Sequence, residues 1–255
     1  MAKCEYCNRP LILKEGKCIY CGLAPKSAPQ SVPSGQPIIR KSKPIKQRRS
    51  FENRPKTIDE LSIKVTSPGC DDMGKILDRL GVRYVPFDGD YLCDILFLNC
   101  CTSDQIDSGK LKSFVQNGGI LYASDLTDRY VTGAWPDLMM VDYNTYHCTI
   151  KANVMDSDLR QYLGSSINVE FNLDSWAKII KAPTGKVLME SSNEGFPIMM
   201  EFSIGQGKVF FTSFHNHAQT EEAEDKLLRL LVIKQVASAT KQSFQQTIQS
   251  FSDSL

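Results

Sequence analysis

Four cysteines near the start of the chain have the spacing of a metal site. Cys4 and Cys7 form one CxxC pair, Cys18 and Cys21 form a second, and ten residues separate the two pairs. Zinc prefers four thiolates arranged as a tetrahedron, and each CxxC pair offers two sulfurs from one tight turn. Four cysteine ligands leave no coordination position for a reacting water. We therefore predict a structural Zn²⁺ ion held by these four residues.

The sequence between the two cysteine pairs, LILKEGK, predicts a small hairpin that turns at Glu15-Gly16. With its metal this element resembles a short zinc ribbon, although the spacer is shorter than usual. So short an element cannot bury enough core to fold alone, so metal binding and folding should be one event. The alternative is a redox pair, but thioredoxin-like exchange uses one CxxC at a strand-to-helix junction. A module of this kind usually engages a partner, protein or nucleic acid.

Two of the three histidines, His215 and His217, lie in GKVFFTSFHNHAQ, directly after an apolar run typical of a buried strand. The loops beyond the carboxyl ends of parallel strands form the natural crevice of an open sheet. We expect polar residues that follow several strands to meet there and bind a ligand. The candidates are Asn99, Thr102, Asp125, Asp128, His215 and His217. A metal held by the two aspartates and the two histidines is a further option, on the weaker spacing Asp-x-x-Asp.

The elements that would position these residues follow two patterns. From Leu61 to Asp125 apolar strands alternate with amphipathic helices, which indicates a mostly parallel sheet covered on both faces. Between Arg129 and Phe202 the pattern changes to short strands and turns, typical of antiparallel strands beside that sheet. The strand GKVFF and a long helix with an apolar stripe of Leu227, Leu230, Leu231 and Lys234 complete the domain.

The segments DILFLNC, LKSFVQNGGILYASD, FSIGQGKVFFTSFHNH and LLRLLV together resemble the class I glutamine-amidotransferase-like fold, including its trehalose-utilisation-type branch. The resemblance covers about Leu61 to Val236 and implies a flavodoxin-like sheet. It also implies a nucleophilic Cys in a sharp turn after the central strand and a catalytic His after the late strand. On this alignment Ser124 has the place of the Cys and His215 that of the His. The family's Glu, two residues after the His, is replaced by His217.

The predicted turn is badly suited to a nucleophile. A nucleophile elbow needs small residues two positions to either side, and Ser124 has Tyr122 and Leu126 there. No other cysteine replaces the nucleophile, because the later ones lie in or near apolar elements and are expected to be buried small hydrophobes: Cys70, Cys93, Cys100 and Cys101. We therefore expect no turnover. A serine hydrolase using Ser124 and His215, with Glu221 or Glu222 as the orienting acid, remains the alternative.

Charge is nearly balanced, with 30 Lys and Arg against 29 Asp and Glu, but it is unevenly distributed. The window Arg40–Lys56 holds eight basic residues and one acid, within a Pro- and Ser-rich stretch expected to be a disordered linker. This window is a candidate electrostatic contact for nucleic acid, or a solvated spacer. The start lacks the apolar run of a secretion signal, and no segment is apolar enough to span a membrane. We expect a cytoplasmic protein of bacterial type without membrane insertion.

These patterns predict four parts: a zinc ribbon at 1–23, a basic linker at 24–57, an amidotransferase-like α/β domain at 58–236, and a helical or frayed tail at 237–255. The combination favours a non-catalytic, zinc-binding recognition or adaptor protein. It would bind a macromolecular partner, most simply a protein, or a small ligand. The alternatives are the serine hydrolase and a nucleic-acid-associated protein that uses the ribbon and the basic linker.

Overall fold

The computed structural model describes residues 13–14, 17–18, 56–215 and 222–251, with the backbone alone for 13–14, 17–18 and 222–224. The chain divides into two units, Met1–Glu52 and Asn53–Leu255. In the first unit, strand β1 (Leu13–Lys14) pairs antiparallel with β2 (Lys17–Cys18). Both strands overlap the segment for which the sequence predicts a hairpin. Residues 24–55 of the predicted linker and three of the four zinc ligands lie outside the described residues, as does the side chain of Cys18.

The first half of the second unit alternates strands and helices, as the sequence predicts. Its elements are β3 (Ile63–Val65), α1 (Met73–Arg79), β4 (Val85–Pro86), β5 (Ile95–Leu98), α2 (Ser108–Gln116) and β6 (Ile120–Ser124). Asp72 is the N-cap residue of α1, and the Asp107 side chain accepts hydrogen bonds from two backbone N–H groups at the start of α2. Strands β3, β5 and β6 are buried along their whole length because helices cover both faces of the sheet.

The second half is largely antiparallel. After α3 (Asp128–Ala134) its elements are β7 (Met140–Asp142), β8 (Cys148–Val154), α4 (Ser157–Leu163), β9 (Ser166–Phe171), β10 (Lys178–Lys181), β11 (Lys186–Ser191), β12 (Pro197–Ile204), β13 (Gly207–Thr212), α5 (Glu222–Thr240) and α6 (Phe244–Gln249). The sequence pattern predicts each of these strands except β7. Helix α3 is not predicted by the sequence pattern.

Nine strands form one sheet in the order β4-β3-β5-β6-β13-β12-β11-β8-β9. The strands from β4 to β13 are mutually parallel, and those from β13 to β9 are antiparallel. The antiparallel insert therefore extends the parallel sheet and is not a lobe laid beside it. Its strand β12 pairs with β13 through six consecutive residue pairs, which leaves no free edge between the two halves. Only β7 and β10 form a separate two-stranded pair among the described residues of this unit.

Two apolar layers sandwich the sheet. One layer contains buried residues of α1, α4, α5 and α6, and the other contains those of α2, α3 and β10. The stripe of α5 faces the first layer: its leucines are fully buried, and Lys234 is only 8% exposed. Within the predicted tail, α5 ends at Thr240, and α6 packs Phe244 and Ile248 into the core. Neither α5 nor any other described helix is long and apolar enough to cross a bilayer.

Candidate functional site

Polar residues gather where three adjacent parallel strands end. Strands β5, β6 and β13 are neighbours in the sheet, so the residues after each lie at one edge. The predicted candidates at this edge are buried, each with at most 6% of its surface exposed: Asn99, Thr102, Ser124, Asp125, Asp128 and His215. The predicted gathering of residues is therefore present, but as a buried polar cluster. His217, Glu221 and the side chain of Glu222 lie outside the described residues.

The sharp turn after the central strand is centred on Asp125. Ser124 is the last residue of β6 and has extended backbone angles, φ −122° and ψ 138°. Asp125 has φ +44°, a conformation that costs energy for most residues and is tolerated best by Gly, Asn and Asp. A short 3₁₀ turn, Asp125–Thr127, then leads into α3. The strand-to-helix geometry of an elbow is present, one residue later than the sequence alignment predicts.

This shift corrects the steric argument against the turn. The residues two positions from Asp125 are Ala123 and Thr127, and both are smaller than the Tyr122 and Leu126 that flank Ser124. The stretch Ala-x-Asp-x-Thr thus has small residues on both sides of the acid, in a register that the sequence analysis did not predict. The turn forms because these side chains are small and because an aspartate adopts the positive φ. It presents the carboxylate of Asp125 at the edge of the sheet.

The Asp125 carboxylate is fully buried and has three close neighbours. Its Oδ1 accepts a hydrogen bond from the backbone N–H of Ala177, at 2.7 Å. Its Oδ2 lies 3.5 Å from Nδ1 of His215 and 3.9 Å from Sγ of Cys100. No lysine or arginine in the described part of the chain forms an ion pair with it. Asp125 therefore joins the elbow to the strand ends on both sides.

Cys100 is a buried free thiol at this edge. Burial, reinforced by the charge of Asp125, raises the pKa of Cys100 to about 12. Its thiol is therefore protonated near neutral pH and is a poor nucleophile, which agrees with its predicted role as a buried small residue. The prediction fails for Cys70 and Cys101, which a disulfide joins although their positions are 31 residues apart. Sequence spacing carries no signal for this pair, because the fold brings the two loops together.

Ser124 contacts different residues from those that contact Asp125. Its hydroxyl donates a hydrogen bond to the Asp71 carboxylate and makes a longer contact, 3.5 Å, with the carbonyl of Leu98. Asp71 is also fully buried, in the loop before α1. The N-cap residue of α1 is the next residue, Asp72. The described contacts of Ser124 are thus with an acid from another loop and with the strand next to it.

Two of the predicted ligand-binding residues make contacts that stabilise the loops. Oδ1 of Asn99 accepts a hydrogen bond from the N–H of Met73 at 2.9 Å, and its Nδ2 donates to the carbonyl of Thr66 at 2.7 Å. The Thr102 hydroxyl donates to Asp104 at 3.2 Å within its own loop. These hydrogen bonds fix the loops after β3 and β5, which carry the rest of the cluster.

Asp128 lies one turn after the elbow, and one of its two oxygens is bonded. The Tyr143 hydroxyl donates to Oδ2 at 2.5 Å, whereas Oδ1 is buried without a hydrogen-bond partner among the described residues. Burial raises the pKa of Asp128, and the hydrogen bond from Tyr143 only partly opposes this effect. Tyr143, Ala177 and Cys100 are site residues that the sequence did not reveal as such. Only Cys100 carried a signal, because it directly follows a buried strand at the predicted edge.

Comparison with solved structures gives the fold. A ThuA-like protein from Bacteroides uniformis superposes with a TM-score of 0.53 at 10% identity, over 69% of this chain and 91% of that chain. A GMP synthase protein from Thermoplasma acidophilum has a TM-score of 0.53 at 18% identity, over 74% and 97%. A ThuA-like protein from Parabacteroides merdae has 0.51 at 14%, over 71% and 90%. This chain has the flavodoxin-like fold of the ThuA-like and amidotransferase domains.

The comparisons do not extend to activity. No protein-family model matches the chain, and no curated protein matches it. These three structures are 10% to 18% identical to this chain and have different descriptions, so they establish the arrangement of strands and helices alone. The predicted fold class, an α/β flavodoxin-like sheet with an antiparallel insert, is confirmed.

Proposed function

We propose that this chain is a zinc-binding recognition or adaptor protein whose α/β domain binds a macromolecular partner or a small ligand without catalysing turnover. The observation that carries the proposal is the burial of Asp125, the residue at the elbow. Asp125 lies in the sharp turn after the central strand, for which the resemblance to the amidotransferases implies a nucleophilic Cys, and its carboxylate is fully buried and bonded to the Ala177 N–H. A nucleophile must reach its substrate, and this group has no exposed surface.

The neighbouring groups support the same function. The buried Cys100 thiol, with its pKa raised to about 12, is protonated at neutral pH. The Ser124 hydroxyl is buried and donates to Asp71. A domain of this fold that lacks an accessible nucleophile still has the edge loops of its parallel strands as a binding surface. The ribbon, with Cys4, Cys7, Cys18 and Cys21 as zinc ligands, would supply a second binding surface.

The non-catalytic part of the proposal is tested by covalent labelling. The intact protein is incubated with a fluorophosphonate probe, which labels activated serines, beside the Ser124→Ala variant. We expect no labelling of either protein, because the Ser124 hydroxyl is buried and bonded to a carboxylate. Labelling of the wild type that disappears in Ser124→Ala would establish the serine hydrolase alternative and contradict the proposal.

The adaptor part is tested by comparing the partners of two full-length proteins. Tagged wild type and a Cys4→Ser/Cys7→Ser variant are used as baits under identical conditions, and bound proteins are quantified. We expect the variant to lose a defined subset of partners, because half of the zinc ligands are gone and the ribbon cannot fold without its metal. Identical partner sets for the two baits would exclude the ribbon as a docking element.

Nucleic-acid binding is a second candidate because of the charge of the Arg40–Lys56 window, whose residues before Lys56 lie outside the described part of the chain. Within the described part, Lys56 forms an ion pair with Asp94 at 2.6 Å and is committed to the α/β domain. If the window binds nucleic acid, affinity for a single-stranded oligonucleotide falls steeply with salt and on changing Lys46, Arg48 and Arg49 to Gln. Salt-independent affinity, or none, would remove this candidate.

A further inference from the structure

Three different metal-binding side chains meet at the end of the central strands. Sγ of Cys100, a carboxylate oxygen of Asp125 and a ring nitrogen of His215 all lie within 4.8 Å of one another, and all three residues are buried. Each comes from the end of a different strand: Cys100 follows β5, Asp125 follows β6 and His215 follows β13. The donors therefore rest on three hydrogen-bonded, adjacent strands, which is a rigid frame.

The separations of the donor atoms suit a tetrahedral zinc ion. Zinc bonds of about 2.3 Å to sulfur and about 2.0 to 2.2 Å to nitrogen or oxygen imply distances of roughly 3.3 to 3.6 Å between ligand atoms. Nδ1 of His215 lies 3.5 Å from Oδ2 of Asp125, within that range. Sγ of Cys100 lies 3.9 Å from the same oxygen, a few tenths of an ångström beyond it. The remaining separation, from Sγ of Cys100 to a ring nitrogen of His215, is within 4.8 Å, so side-chain shifts of about 1 Å bring all three atoms into contact with one ion.

The electrostatics of the cluster favour a cation. The Asp125 carboxylate is fully buried, and no lysine or arginine of the described residues is paired with it. Removing a carboxylate from water is costly unless a positive charge or a metal compensates it. The second oxygen of Asp125 accepts a hydrogen bond from the Ala177 N–H at 2.7 Å. Hydrogen bonds of this kind orient the carboxylate ligands of metal sites and leave the other oxygen for the ion.

We infer that Cys100, Asp125 and His215 form a zinc site with three protein ligands, separate from the four-cysteine ribbon. A thiolate and an imidazole select zinc over magnesium or calcium, which prefer oxygen ligands alone. Three protein ligands leave a fourth position, which water or one donor atom of a ligand can occupy. Because all three residues are buried, the ion compensates the charge of Asp125 and joins the ends of the three strands.

The site is tested in a full-length chain whose ribbon is silenced by Cys→Ser changes at positions 4, 7, 18 and 21. After dialysis against metal-free buffer, zinc is measured by mass spectrometry. We expect about one zinc ion per chain, falling to less than about 0.2 in both Cys100→Ala and His215→Ala, because each change removes one of three ligands. Cys93→Ser is the matched control, because Cys93 is also a free cysteine whose pKa burial raises to about 12. The zinc content of this variant should stay at about one ion per chain.

Cobalt supplies a second readout that counts sulfur ligands. The silenced chain loaded with Co²⁺ should show a thiolate-to-cobalt charge-transfer band that Cys100→Ala removes and Cys93→Ser retains. Circular dichroism checks that each variant is folded. A folded silenced chain with neither zinc nor a cobalt band would overturn the inference, as would Cys100→Ala and His215→Ala variants that keep the zinc content of the silenced chain. The ribbon is assessed separately by the zinc difference between wild type and the silenced chain, so failure of one zinc site is distinguishable from failure of the other.

Discussion

Three described aspartates of this domain are completely buried, Asp71, Asp125 and Asp156, and the last two have opposite surroundings. Asp156 lies at the start of α4 in the antiparallel half, and it is paired with two lysines, Lys186 and Lys234. Asp125 lies at the edge of the parallel half, and its neighbours are an imidazole, a thiol and one backbone N–H. One carboxylate is neutralised by fixed cations of the protein. The other has no such cation among the described residues.

This difference separates a carboxylate that stabilises the fold from one that is available for binding. Lys234 on α5 donates to Asp156 at 3.0 Å and to Asp158 at 3.0 Å, and Lys186 on β11 completes the group. The Asp156 cluster thus ties two helices to the sheet. Burial alone would raise the pKa of Asp156, but the hydrogen bonds from the two lysines outweigh it and lower the pKa below its ordinary 3.8. The folded state therefore favours the charged form of Asp156.

The largest effect is expected for Asp156→Asn. An asparagine can still accept the hydrogen bond from the N–H of Leu159 and cap α4, so the change removes mainly the charge. It leaves the buried ammonium of Lys234 with Asp158 alone. Breaking a buried ion pair in this way costs about 3 kcal/mol of unfolding free energy at neutral pH. Chemical denaturation measures this loss, and a change below about 1 kcal/mol would show that the Asp156 cluster does not stabilise the fold.

The loss of stability caused by Asp156→Asn should depend on pH. A carboxyl group whose pKa is lowered on folding contributes stability above its unfolded pKa, 3.8, and the contribution is lost as the pH falls through the folded pKa. Asp156→Asn has no such group. The difference in unfolding free energy between wild type and variant should therefore be constant above a pH of about 5 and should shrink below about 4. A difference that stays constant on acidification would mean that the lysines do not lower this pKa.

A smaller loss is expected for Lys234→Met. Methionine fills the space of the lysine stem, and Asp156 keeps its pair with Lys186, so the unfolding free energy should fall by about 1 to 2 kcal/mol. The matched control is Lys75→Met, which removes an exposed lysine 3.5 Å from Asp72 and should cost less than about 0.5 kcal/mol. Equal losses of unfolding free energy for the two variants would show that the buried ion pair of Lys234 stabilises the fold no more than an exposed pair does.

The sequence predicts best those strands that are buried on both faces of the sheet. The run ILYAS becomes β6 with the predicted bounds, because a strand covered on both faces must be apolar along its whole length. Helix α3 has no comparable signal: of its residues Asp128–Ala134, Val131 and Ala134 are the only apolar ones buried, and a glycine interrupts them. The partner of Lys234 is 78 residues away in the chain, so no local pattern could predict it.

The sequence predicts where the candidate site lies in the fold, but it does not predict which side chains contact each other there. Residues after adjacent parallel strands must share an edge, so Asp125 and His215 were expected to meet, and they do, at 3.5 Å. The register of the turn was misplaced by one residue. In a strand such a shift moves every side chain to the opposite face, so Ser124 contacts Asp71 while Asp125 contacts His215. Only the backbone angles of the turn distinguish the two registers.

The comparison is tested most directly by the unfolding free energies of Asp125→Asn and Asp156→Asn, measured side by side in excess chelator. Asparagine tolerates the positive φ at position 125, and its amide oxygen can still accept the hydrogen bond from the Ala177 N–H. Without metal, removal of this uncompensated charge should leave stability unchanged within about 0.5 kcal/mol or increase it, while Asp156→Asn loses about 3 kcal/mol. A loss at Asp125 as large as that at Asp156 would show that both carboxylates are structural and would contradict the account.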